Sequence, residues 1–246
     1  MANGFPRISA MGMTGILVSF ADTLSEPANR AALAFHARVM DTLSEQVAEI
    51  AVTLASVFLR FDPVQTQPEQ VHPVLARLLE ERDWYDAALP PGRKLWRIPT
   101  AYGGADGPQL EEVARLAGLS PEAAVAELSR ARVRVLALGF APGQPYLGTL
   151  DSHWDLPRQT DITPKVPQGA LVVAVRQFVL FANASPTGWR QVGRSAFRCF
   201  DLGRDTPVAL RPGDECQFVE ATSDVIAAAT HEDAQGYGNA QIEALP

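Results

Sequence analysis

Cysteine, histidine and long apolar runs are what this 246-residue chain has least of. Its two cysteines, Cys199 and Cys216, stand apart in stretches where apolar and polar residues alternate (Phe197-Arg198-Cys199-Phe200 and Cys216-Gln217-Phe218-Val219). They read as buried free thiols, not as a disulfide framework. Four histidines, His36, His72, His153 and His231, have no metal-site spacing to one another or to the cysteines, which argues against a structural zinc. No apolar segment reaches membrane-spanning length. No basic region followed by an apolar run opens the chain, so no secretory leader is read there and the cytoplasm is the expected compartment. Positive charge is also short: 21 Lys and Arg face 28 Asp and Glu, for a net charge of −7. That balance disfavours a nucleic-acid surface, because binding phosphates needs clustered cations. Also missing are Gly-x-x-x-x-Gly-Lys-Ser/Thr, a helix-opening Gly-x-Gly-x-x-Gly and Gly-x-Ser-x-Gly, so no familiar nucleotide loop or nucleophile elbow is present.

What is present describes a globular chain. Hydrophobic residues make up 47% and charged residues 20%, enough for a sizeable core in one large domain or two modest ones. Residues 14–20 read as a strand. Ser25-Glu26-Pro27 opens a helix in which Ala32, Phe35, Val39 and Leu43 recur at helical spacing. Val47 to Val52 and Val57 to Phe61 read as strands. Thr66 and Glu69 form a candidate capping box for a helix striped by Val71, Val74, Leu75, Leu78 and Leu79. Leu95 to Ala101 supplies a fourth strand. The expected order is therefore β-α-β-β-α-β, a ferredoxin-like α+β domain over residues 1–104.

Residues 105–131 read as a linker of two short helices, the second capped by Ser120 with Pro121 in its first turn. The segment from Leu110 to Val125 imitates a DNA-binding helix-turn-helix, but Glu122 would sit near its reading end in an already acidic chain. Beyond Val133 come short β-runs: Val133–Leu138, Ala170–Val175, Phe178–Phe181, Phe197–Phe200, Val208–Leu210 and Glu215–Glu220. Gly/Pro turns between them mean an all-β barrel or sandwich over residues 132–221. Residues 222–246 read as a weakly structured tail that adds little to the core.

The densest local signal is Gly139-Phe140-Ala141-Pro142-Gly143-Gln144-Pro145-Tyr146-Leu147-Gly148. Proline fixes φ and glycine permits φ > 0, so this loop has a defined shape, suited either to a tight turn with aromatic anchors or to one wall of a ligand site. Further along come Pro157-Arg158, Lys165-Val166-Pro167-Gln168-Gly169, Gln177, Ser185-Pro186-Thr187-Gly188-Trp189-Arg190, Val192-Gly193-Arg194-Ser195 and Arg211-Pro212-Gly213-Asp214. In this order the motifs resemble the family of the 5-oxoprolinase B-type chain, also called allophanate hydrolase subunit 1 or Kip-inhibitor-like carboxyltransferase. Ile16 to Phe20, Phe61-Asp62-Pro63 and Pro99 to Pro108 extend the resemblance to about residues 5–221. The chain departs from the family pattern at Gln144, where Phe is usual, and at Asp161-Ile162-Thr163, where Thr-Pro-Arg is usual. Val175 to Phe181 stands in place of Gly-Gly-Gln-Thr-Gly-Ile-Tyr.

The resemblance implies a cyclophilin-like barrel after the N-terminal domain. It also implies two partners, a second carboxyltransferase-type polypeptide (the C-type chain) and a lactam-utilisation polypeptide (the A-type chain), with neither nucleic acid nor membrane involved. The implied reaction couples ATP hydrolysis, with magnesium, to opening 5-oxo-L-proline to L-glutamate, in a complex of which this chain alone is inactive. Two other members of the resemblance differ in chemistry: a biotin-dependent carboxyltransferase acting on urea or a related amide, and a non-enzymatic inhibitor of a sensor histidine kinase. On this reading Arg158, Lys165 and Arg194 are the candidate catalytic or anion-contacting cations. Phe140, Pro142, Gly143, Pro145, Tyr146, Gln177, Ser185, Gly188 and Trp189 shape the substrate or nucleotide pocket, and no metal ligands are implied. The plain alternative for each is ordinary structure: arginines solvated or paired, and Trp189 in a core.

Overall fold

The computed structural model describes residues 4–62 and 64–245 and divides into two units, residues 1–91 and 92–246. In the first, strands β1 (Arg7–Met11), β2 (Gly15–Ser19), β3 (Glu49–Val52) and β4 (Ser56–Arg60) form an antiparallel sheet in the order β1-β2-β4-β3. Alternate residues Ile16, Val18, Val57 and Leu59 are buried from one face. Against them α1 (Glu26–Leu43) lays its stripe of Ala28, Ala32, Phe35, Val39 and Leu43, and α2 (Pro68–Glu80) lays Val71, Leu75 and Leu78. The Ser25 hydroxyl caps α1 by accepting from Ala28 N at 3.3 Å. Phe35 anchors this core with edge-on contacts to Phe20 (5.5 Å) and Trp84 (5.1 Å).

The order in this unit is β-β-α-β-β-α, which corrects the ferredoxin-like β-α-β-β-α-β expectation. The extra strand is Arg7–Met11, whose largely exposed side chains hide it from a periodicity reading. The expected fourth strand, Leu95 to Ala101, belongs to the other unit. The α2 cap also lies one residue later than expected: Gln70 Oε1 accepts from Gln67 N at 3.0 Å, while Thr66 donates instead to Gln46 O. Pro63 of the Phe61-Asp62-Pro63 match lies outside the described residues.

The second unit is a closed barrel. In chain order its elements are β5 (Lys94–Tyr102), α3 (Leu110–Ala117), α4 (Pro121–Arg130), β6 (Val133–Leu138), β7 (Pro145–Gly148), β8 (Thr163–Val166), β9 (Ala170–Ala174), β10 (Gln177–Leu180), β11 (Ser185–Thr187), β12 (Arg190–Arg194), β13 (Glu215–Glu220), α5 (Ser223–Glu232) and β14 (Gln241–Ala244). Seven strands run β12-β9-β10-β7-β6-β13-β5, and β5 meets β12 again through Gly193 with Tyr102 and Arg194 with Ala101. Only the β13–β5 pair among them is parallel. Closure leaves these strands without a long free edge.

Alternation divides the strands between two cores. Leu171, Val173, Phe178 and Leu180 point into the barrel with Trp96, Ile98, Val135, Leu147 and Phe218. Val172, Ala174, Val179 and Phe181 point outward and form a second cluster with Val166 and Trp189, against which Tyr146 packs. That outer cluster lies between the barrel wall and a ribbon made by β8 and β11.

Three expectations are corrected here. The helices of 105–131 are part of the barrel unit, with Leu110, Val113, Ala114, Ala124 and Leu128 in its core, and Ser120 caps α4 as anticipated. The expected weak tail is instead α5, with Ile226 and Ala229 buried, followed by β14 paired to the first half of β5. Asp233 fastens that turn by accepting from the backbone N–H groups of Gln235 and Gly236. Phe197–Phe200 and Val208–Leu210 form an isolated Phe200–Val208 bridge, not strands. Conversely, β7, β8, β11 and β12 arise from segments whose Gly and Pro content is that of loops.

Cys199 and Cys216 are buried free thiols. Burial pushes Cys199 up to about 12, against a smaller opposing effect of Arg204, and pushes Cys216 well above its ordinary value. The Asp214 carboxylate, at the end of Arg211-Pro212-Gly213-Asp214, is buried and accepts from Lys94 N, Trp96 Nε1 and Arg211 N. That motif therefore staples β5 to the turn before β13. Among the described residues, no helix is long and apolar enough to cross a membrane.

Candidate functional site

The outer cluster opens into a cleft of about 430 Å³ beside β7 and β10. Its floor is Tyr146, Val179 and Phe181; its far wall is Gly188 and Trp189, which follow β11; and the segment from Arg158 to Ile162 closes one side. Tyr146 and Trp189 meet edge-on with centroids 6.3 Å apart. The Arg158 guanidinium lies over the Trp189 ring at 5.5 Å, a cation–π contact that leaves its N–H groups free to face an anion.

A network of glutamines holds this wall in place. Gln159 N donates to Gly188 O at 2.7 Å, and Gln159 Nε2 donates to Trp189 O at 3.0 Å. Its Oε1 accepts from Gln109 Nε2 at 2.6 Å, and Gln109 Oε1 accepts from Gln191 N at 2.8 Å. The Arg158 segment is thereby fastened to Trp189 and, through Gln109 at the start of α3, to β12.

Phe140 stands at the rim, 72% exposed, with φ of 71°, and Ile162 beside the same cleft is 66% exposed. A left-handed aromatic residue is uncommon and persists where its surroundings impose it. Here Gly139 N donates to Gln144 O and Gln144 N to Ala141 O, closing the loop on itself. Gly143 at φ 70° packs against the Cys199 carbonyl, where a Cβ would come within 2.7 Å of the oxygen.

The structure thus gathers Phe140, Tyr146, Arg158, Gly188 and Trp189 of the expected residues around one cleft. Pro142, Gly143 and Pro145 shape the loop and strand behind it without lining it. Ser185 is buried in the ribbon beside Asn183. Lys165 is exposed on β8 and does not line the cleft. Arg194 lines a different cavity of about 250 Å³ with Gln168, Gly169 and Arg198. Gln177 lies on the outward face of β10, one alternate position before Val179, and its buried Oε1 finds no hydrogen-bond partner. The three candidate cations are therefore dispersed, and Arg158 alone of them lines the aromatic cleft.

Several cleft residues escaped the sequence reading. Gln159 directly follows the Pro157-Arg158 motif, and Thr187 lies inside Ser185 to Trp189, so adjacency could have flagged both. Gln144 is 1% exposed and takes Ala182 N on its Oε1 at 3.2 Å, a polar group where the family pattern has Phe. Val179, where that pattern has Gly, covers the floor with a side chain. Val175 and Arg176, by contrast, do not line the cleft. They form the β9–β10 turn with φ of 43° and 61°, values that glycine or asparagine usually supplies. The strain is held by Val175 N to Leu156 O, Arg176 N to Trp154 O and Arg176 Nε to Leu150 O.

The family model for the carboxyltransferase domain, subdomains C and D, matches residues 6–210. The chain belongs to that family. A relative from Escherichia coli O157:H7, named as the B-type chain of 5-oxoprolinase, is 39% identical over 140 residues, covering 56% of this chain and 64% of the relative. A Bacillus subtilis protein of the same name is 27% identical over 227 residues, 87% of this chain and 92% of its own. Among solved structures, TTHA0988 superposes with a TM-score of 0.72 at 33% identity, covering 85% of this chain and 40% of that one. This chain thus spans about two-fifths of the TTHA0988 polypeptide and somewhat under two-thirds of the E. coli relative.

Proposed function

We propose that this protein is one component of a heteromeric, ATP-dependent 5-oxoprolinase, with its aromatic cleft taking the lactam substrate. The observation that carries this reading is the shared name of its relatives, the B-type chain of 5-oxoprolinase, one of them aligned over 92% of its own length. The geometry supports it. A five-membered lactam suits a cleft of this size lined by Tyr146 and Trp189, with its carboxylate on Arg158 in a charge-assisted pair. A lactam carbonyl is a poor electrophile; phosphorylating its oxygen supplies a leaving group before water attacks, so positioning and charge stabilisation become the protein's task.

Among the described residues, the cleft offers one guanidinium and no other cation, too little positive charge for a triphosphate. ATP is therefore assigned to the partner polypeptides, the second carboxyltransferase-type chain and the lactam-utilisation chain. The exposed Phe140 and Ile162 at the rim give such a partner an apolar edge to cover.

Mixing the purified chain with both partners, 5-oxo-L-proline and ATP should release L-glutamate, and omitting this chain should stop it. Absence of turnover in the complete mixture overturns the reading. Activity that follows a biotinylated carrier instead would assign the carboxyltransferase role, and inhibition of kinase autophosphorylation by this chain alone would assign the regulatory one.

A further inference from the structure

A second cavity of the barrel unit, about 410 Å³, shares no lining residue with the aromatic cleft. It is bounded by Glu127 and Arg130 from α4, by Arg132 just before β6, and by Thr149, Asp151 and His153 from the segment after β7. Three of its charged or titratable side chains are already engaged. His153 Nε2 and Glu127 Oε2 are 2.7 Å apart, with the imidazole resting against the Trp154 ring at 5.1 Å. Arg132 donates Nε and Nη2 to Glu215 Oε2 at 2.9 and 2.6 Å.

Two charges of opposite sign are left over. Among the described residues neither Arg130 nor Asp151 has a side-chain hydrogen bond or an ion pair, and they are not within pairing distance of each other. They come from separate elements and face the same hollow without meeting. A ligand that carries both a carboxylate and an ammonium group satisfies the two at once. A phosphate would instead meet the Asp151 and Glu127 carboxylates.

We propose that this cavity binds a free α-amino acid as its zwitterion, the carboxylate on Arg130 and the ammonium on Asp151, with the exposed Thr149 hydroxyl beside them. The Glu127–His153 pair forms the fixed wall: because Glu127 is occupied, Asp151 is the acid available to the ammonium. Both recognising charges are exposed and screened by solvent, so the affinity belongs near the millimolar range, about 1 mM. The site stands or falls independently of the reaction proposed for the aromatic cleft.

The test is calorimetric titration of the full chain with L-alanine, L-leucine and L-glutamine, whose only charges are the α-groups. At least one should bind saturably. Its N-acetyl derivative (no ammonium) and its α-amide (no carboxylate) should each bind at least about tenfold more weakly. Arg130→Ala and Asp151→Asn should cause similar losses while leaving the melting temperature in place, and Phe35→Ala in the other unit should leave the affinity of this site unchanged. No saturable binding of any of the three up to about 50 mM overturns the proposal. So does binding that survives both Arg130→Ala and Asp151→Asn, or a preference for inorganic phosphate.

Discussion

The N-terminal sheet and the C-terminal barrel bury their strands in different ways. In the first unit the helices cover one face: along β4 buried Val57 and Leu59 alternate with more open neighbours, and each helix lays an apolar stripe against the sheet. In the second, Ala170–Ala174 and Gln177–Leu180 are buried on both faces, inward to the barrel core and outward to the cluster under the β8–β11 ribbon. Double burial is what allows a cleft on the barrel wall: an outward face already lined with Val, Phe and Trp needs only a gap in its cover to become a binding surface.

The sharpest way to separate the two units is Gly169→Val. Gly169 has φ of 78°, and a side chain there would overlap the Ser195 carbonyl oxygen. The cost should exceed about 4 kcal/mol, enough to abolish the barrel's near-ultraviolet circular dichroism while leaving helical signal from the first unit. Full retention of the native spectrum would show that the close approach is relaxed at little cost.

Next in size, Phe35→Ala should remove about 3–5 kcal/mol from the N-terminal core alone. If the two units have separate unfolding transitions, this variant moves one and Gly169→Val the other. A single transition moved by both would erase the distinction.

Arg158→Ala should change stability by less than about 1 kcal/mol, since the side chain is exposed over Trp189, yet weaken 5-oxoproline binding at least about tenfold. Unchanged binding would remove Arg158 from the site. Gln159→Leu should act less directly, loosening the Arg158 segment from Trp189, and fluorescence quenching would report it.

A smaller effect is expected at the C-terminal turn. Burial alone would raise the Asp233 pKa, but the backbone N–H groups of Gly238, Asn239, Gln235 and Gly236 outweigh it and hold the carboxyl below the ordinary range. A depressed acid contributes stability that is complete above its unfolded value and is lost as pH falls through the folded one. Amide exchange at Gly236 and Gly238, corrected for its intrinsic pH dependence, should therefore accelerate in strong acid and stay level around about pH 6. Smallest of all, Cys199 and Cys216 should ignore thiol reagents at about pH 8 until the barrel unfolds, because burial holds both thiols protonated.

The two units also differ in how far they can be read from residues. Ser25 and Ser120 are caps with local chemistry, and the stripes of α1 and α2 repeat within a few turns, so they are visible without any tertiary contact. Val133–Leu138 and Glu215–Glu220 are visible for the same reason. Pro145–Gly148, Ser185–Thr187 and Arg190–Arg194 are not, since their Gly and Pro content is that of turns and only pairing with distant strands makes them β. Leu95 to Ala101 reads correctly as a strand yet belongs to the barrel, because strand character says nothing about which partner it finds.

The site shows the same division. Of the residues that the ordered motifs single out, Phe140, Tyr146, Arg158, Gly188 and Trp189 meet in one cleft. Gly143, Gly169 and Asp214 carry motifs of equal density but hold backbone against backbone, or strand against turn. Residue type and spacing determined helices α1 to α4, the Ser25 and Ser120 caps, the negative net charge and the family motifs, and the helices and caps depend on neighbours a few positions away. Barrel closure, the dispersal of Arg158, Lys165 and Arg194, and the pairing of one cleft with Gln159 were decided only in three dimensions. Which strand a segment joins depends on contacts across scores of residues, and no local pattern encodes them.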